Sequence, residues 1–91
     1  MLREQKLLLA GRAWQHVRKA AQQDISDAER ILYLDAALGA QCMWVFEAEH
    51  TFPDVAAIKE GISGLVGAML DGNEVETRHI VAPAPPNVNR N

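Results

Sequence analysis

The sequence predicts an all-α protein: an antiparallel three-helix bundle over residues 1–72, followed by an extended, proline-rich arm over 73–91. Three observations point there. Apolar residues recur at helical spacing through three segments, each segment is bounded by helix start or stop residues, and both connections are short. Short connections favour antiparallel neighbours. The bundle is expected to dimerise into a larger helical assembly, for a reason that emerges from the second helix.

The first helix is read from about Leu2 to Gln23. At ~100° per residue, Leu7, Ala10, Trp14, Val17 and Ala21 share a face, with Ala13 and Ala20 beside them. Gln5, Arg12, His16, Lys19 and Gln23 occupy the opposite side. Such a helix rests on a core by one side only.

The second helix has the clearest start. Ser26-Asp27-Ala28-Glu29 fits a capping box, in which the serine hydroxyl accepts from the Glu29 amide and the Glu29 carboxylate reaches back. The helix should run to about His50. Its apolar residues occupy every side: Leu32, Ala36, Met43 and Phe46 on one, Ile31, Leu34, Leu38 and Val45 on another, and Tyr33, Ala37, Ala40 and Trp44 on a third. A helix apolar all round is a buried helix. Two neighbours from the same chain cover only part of its circumference, so a second copy is the expected lid, with Tyr33, Ala37, Ala40 and Trp44 as the dimer interface.

Thr51-Phe52-Pro53-Asp54 punctuates the next start, with Pro53 expected in the first turn and Asp54 adding negative charge there. The third helix runs to about Asp71 and stops at Gly72, a good terminator. Its core stripe is Val55, Ile58, Ile62, Leu65, Val66 and Met69. Beyond it, Val75 to Val81 has extended, β-branched character, and Pro83, Pro85 and Pro86 favour polyproline geometry.

Composition bounds the function. Hydrophobic residues make up 48% of the chain, which excludes global disorder, but aromatics are only 5% and alanine supplies much of the apolar content. A core of that kind buries little area per residue, which again favours association. Cys42 is the single cysteine, so no internal disulfide can form and a reducing, cytoplasmic setting is expected. The charged N-terminal stretch lacks the apolar run of a signal peptide. The longest apolar stretch, Ile31 to Phe46, is interrupted by Asp35 and Gln41 and falls short of the ~20 residues a bilayer requires. No membrane partner, cofactor or small-molecule substrate is indicated.

Charge is uneven along the chain. Arg3, Lys6, Arg12, Arg18 and Lys19 crowd the first helix, whereas the acidic residues dominate from Asp24 to Glu76. This polarity suits self-complementary contacts. Asp35, amid the apolar run, is expected to pair with Arg12 or Arg30, because an unpaired buried charge is costly.

Four constellations carry functional readings. Gly61, Gly64 and Gly67, with Ala68, form a smooth strip on the back of the third helix, edged by Glu60 and Asp71. Each helical glycine costs up to ~1 kcal/mol, and small residues let another backbone approach, so this strip is the expected surface for a partner protein. Tolerated glycine on a solvated face is the plainer alternative. Arg12, His16, Arg18 and Lys19 could meet phosphates, but no helix-turn-helix or zinc-ligand spacing accompanies them and the pI of about 5.5 opposes it. Glu47 and His50 stand at the Glu-x-x-His spacing used by carboxylate-bridged metal proteins, although a second such motif is absent and a helix-terminal histidine explains itself by the dipole. Cys42 has no activating histidine at helical spacing, and no phosphate loop or nucleophile elbow is present, so no catalytic residues are assigned. The expected function is therefore a non-enzymatic protein–protein interaction module (a regulator, adaptor or inhibitor), working as a helical homodimer. A small nucleic-acid-associated dimer using the first helix is the competing class.

Overall fold

A computed structural model describes residues 3–72, apart from the side chains of Arg3, Lys6 and Leu7; the arm expected over 73–91 lies outside the described residues. Three helices are present: α1 (Arg3–Ala20), α2 (Asp27–Glu49) and α3 (Val55–Leu70). The all-α three-helix reading of the sequence holds.

Local chemistry sets the helix ends. Ser26 caps α2 in extended backbone, its hydroxyl accepting from the Glu29 amide while the Glu29 carboxylate accepts from the Ser26 amide. Both halves of the capping box are made. The last turn of α2 ends at His50, held in the left-handed region at φ 56°. Asp54 caps α3, its carboxylate accepting from the Ala57 amide. Pro53 therefore precedes the cap instead of occupying the first turn. Gly72, at φ 77°, closes α3 as the sequence indicates.

α1 stops earlier than its periodicity suggests, at Ala20 rather than Gln23. The Arg30 guanidinium, reaching back from the first turn of α2, donates to the carbonyls of Ala20 and Gln22. It satisfies acceptors that helix continuation would otherwise bury in its own ladder. The Gln23 side-chain amide donates to the Leu70 carbonyl, tying the α1–α2 turn to the end of α3.

The core sits where the three helices meet. α1 contributes Ala13, Trp14, Val17 and Ala20, α2 contributes Ala37, and α3 contributes Ile62, Leu65 and Val66. Leu9 and Ala10 extend the buried side of α1. Val55, expected in the α3 stripe, is instead half exposed at the first position of the helix.

The larger departure concerns α2. Despite being apolar on all sides it buries only Ala37 and Gln41. Ile31, Leu32, Met43 and Phe46 each leave half or more of their surface in solvent. Asp35 is exposed too, so its charge is met by water and requires no buried counter-ion. Arg30 is engaged with carbonyls, and Arg12 lines a groove with Glu47 rather than approaching Asp35. Among the described residues, no helix is long and apolar enough to cross a membrane.

Candidate interaction surface

α1 and α3 approach α2 from two directions and leave a third side open. Lys19 of α1 places its ammonium 5.8 Å from the centroid of the Tyr33 ring, near the start of α2. At the other end, Gln5, Leu8, Leu9 and Arg12 of α1 form a shallow groove with Met43 and Glu47. These two contacts fix α1 and α2 as antiparallel. On the opposite flank, Ile31, Leu34, Asp35 and Leu38 of α2 meet Lys59, Ile62 and Ser63 of α3 around an apolar dimple of about 290 Å3.

The open side carries Leu32 (67% exposed), Met43 (53%) and Phe46 (50%), with Gly39 exposed between them and Ala36 half buried. Phe52, 90% exposed in the α2–α3 loop, holds its ring 5.8 Å from that of Phe46 and lengthens the patch. Leu8 of α1, also largely exposed, adds to it across the groove beside Met43. Scattered exposed apolar residues are ordinary, whereas these follow one another along one side of a single helix, which makes that side the candidate surface.

The residues expected at a dimer interface lie elsewhere. Ala37 is completely buried, and Tyr33 and Ala40 pack against the core, while Trp44 is half buried on the same side of α2. That side faces the chain's own α1, so in this packing it has little to offer a second copy. Leu32, Ala36, Met43 and Phe46 are the side that remains. The sequence held one signal for them, their shared wheel position, but nothing that ranked this side above the other two.

On α3, Glu60, Gly64 and Asp71 are exposed, and Gly61, Gly67 and Ala68 are half buried. A Cβ built at Gly64 or Gly67 would meet nothing within 4 Å, so these glycines do not serve a close crossing inside the described bundle. The strip faces outward, opposite the Ile62–Leu65–Val66 core side.

The basic residues of α1 are dispersed. Arg12 and Arg18 are exposed, Lys19 sits against Tyr33, and His16 is half buried with its Nδ1 enclosed and lacking a hydrogen-bond partner among the described residues. Burial, then Lys19 and Arg12, push the His16 pKa below its ordinary value, which disfavours the charged form of the ring. Glu47 and His50 are both exposed, and among the described residues no three His, Cys, Asp or Glu side chains converge on one point. The left-handed backbone of His50 also takes it out of helical register with Glu47. Cys42 is half buried, and burial raises its thiol pKa, the opposite of what a reactive thiolate needs.

The fold and this surface together define a small helical bundle whose longest helix is incompletely covered. No protein-family model, characterised protein or solved structure matches the chain.

Proposed function

We propose that this protein is a non-enzymatic interaction module that works as a homodimer and presents helical surface to a partner protein. One observation carries the reading: Leu32, Met43 and Phe46 form an apolar stripe along α2 that neither α1 nor α3 covers. Removing such side chains from water is worth about 25 cal/mol per Å2, and a second copy covers the stripe at no cost in sequence. The outward-facing strip of Gly64, Gly67 and Ala68, edged by Glu60 and Asp71, is the second surface, left free in such a dimer for another protein's helix. Cytoplasmic residence accords with the single free cysteine.

Sedimentation tests the first element. The intact chain should run at twice its 10.0 kDa mass at micromolar concentration. Phe46→Glu should return it to the monomer with its helical circular dichroism unchanged. A well-folded monomer across that concentration range would end the homodimer reading. For the second element, Gly64→Leu should abolish capture of the cellular partner while the dimer persists. Capture that survives the substitution places the partner on another surface.

A further inference from the structure

α3 is joined to the rest of the bundle more thinly than α1 and α2 are joined to each other. α2 packs along α1 far more extensively than along α3, and α1 and α3 touch least. Two further contacts hold the α1–α2 pair: the Arg30 guanidinium donates to the carbonyls of Ala20 and Gln22, and Lys19 lies over the Tyr33 ring. α3 is met at its end by the Gln23 side-chain amide, which donates to the Leu70 carbonyl in an exposed hydrogen bond. Between α2 and α3 lies the dimple of about 290 Å3, and atoms that line a gap have fewer dispersion partners than atoms in a filled interior.

Backbone and connection point the same way. Gly61, Gly64 and Gly67 all fall within α3, and glycine gives up more conformational freedom on entering a helix than any other residue. A Cβ at Gly64 or Gly67 would meet nothing within 4 Å, so packing against the described residues does not require glycine at either position. The link from α2 is non-helical from His50 to Asp54, and His50 stands in left-handed backbone at φ 56°. His50, Thr51, Phe52 and Asp54 are exposed, so turning about this link disturbs little that is buried.

We propose that α3 lifts away as a unit, about the His50–Asp54 link, while α1 and α2 stay paired. Opening of one thinly attached element takes less free energy than unfolding the whole domain. The open form separates Ile62, Leu65 and Val66 from Ala13, Val17 and Ala37, the small side chains with which they share a cluster. An apolar trough on the α1–α2 pair is thereby bared. α3 packs on a different side of α2 from Leu32, Met43 and Phe46, so the opening does not depend on self-association.

Native-state hydrogen exchange at single-amide resolution reads the opening directly. The amides of Ile62, Leu65 and Val66 should exchange at least about tenfold faster than those of Ala13, Val17 and Ala37. Equal protection in the three helices would show that the bundle opens only as a whole. Two sets of substitutions separate local from global opening. Ser26→Ala removes the cap of α2 and should speed exchange of the Val17 and Ala37 amides about fivefold, the equivalent of ~1 kcal/mol, while leaving α3 unchanged. Acceleration of α3 by the same factor would place it in one cooperative unit with the pair and defeat the proposal. Gly64→Ala combined with Gly67→Ala should slow α3 about tenfold, because each alanine favours the helix. α3 amides that ignore this double substitution would be exchanging by fraying, and the helix would not be lifting as a unit.

Discussion

His16 shows how a single side chain couples this fold to pH. The unfolded chain protonates the ring near its ordinary value of 6.5, whereas burial, Lys19 and Arg12 hold the folded ring neutral to lower pH. Below that value the unfolded state binds more protons than the folded one, so stability should fall as pH drops through and below 6.5. Urea midpoints at pH 7.5 and 5.5 should differ in the intact chain, and His16→Gln should remove most of the difference. Glu29 also has a lowered pKa, through its bonds to the Ser26 amide and hydroxyl, but its loss belongs to the carboxylate range near and below 4.5 and leaves this window clear. Core residues act through volume. Ile62 is 1% exposed at the meeting point of the helices, and Ile62→Ala should cost about 2–5 kcal/mol in denaturant unfolding. Against a total of ~5–15 kcal/mol for a domain, that loss is large, and a smaller one would show that the alanine-rich surroundings collapse into the space.

At the scale of the helix, the chain's own start signals were legible and its lateral packing was not. The Ser26–Glu29 box is contained in four consecutive residues, so the sequence alone places the beginning of α2. Ser26→Ala should therefore lower the unfolding free energy by ~1 kcal/mol, because it strands the Glu29 amide. The other end of α2 holds the opposite lesson. His50 adopts a left-handed backbone at φ 56°, which an L residue enters only at a cost. His50→Gly should raise the thermal midpoint, where a metal-ligand role for His50 would make no such forecast. The premature end of α1 was hidden from periodicity because its cause, the Arg30 guanidinium, sits ten residues further along the chain. Hidden for a similar reason was the exposed side of α2. Hydrophobic patterning reports that three sides are apolar, but which side faces α1 depends on the Lys19–Tyr33 contact and on Ala37 joining the buried cluster that holds Val17 and Trp14. The residues on which the proposed association rests, Leu32, Met43 and Phe46, were therefore visible as apolar and invisible as exposed.

For the whole molecule, the proposed association would draw on apolar side chains that folding leaves exposed. The core comprises four small or mid-sized residues and a tryptophan edge from α1 and α2, completed by Ile62, Leu65 and Val66 of α3. That is a modest core, and the α2 stripe is apolar surface of similar kind still facing water. When a dimer binds its own folded state, the free energy of association adds to that of folding, and the thermal midpoint becomes dependent on protein concentration. A hundredfold increase in chain concentration should consequently raise the midpoint by several degrees, since ~2.7 kcal/mol accompanies each hundredfold excess over the dissociation constant. The same titration on Leu32→Glu should be flat. Its midpoint should coincide with that of the intact chain at high dilution, because Leu32 is 67% exposed in the single chain and contributes little to its core. A concentration-independent midpoint for the intact chain, matching that of Leu32→Glu throughout, would mean that three helices satisfy themselves and that the stripe on α2 is surface the monomer simply tolerates.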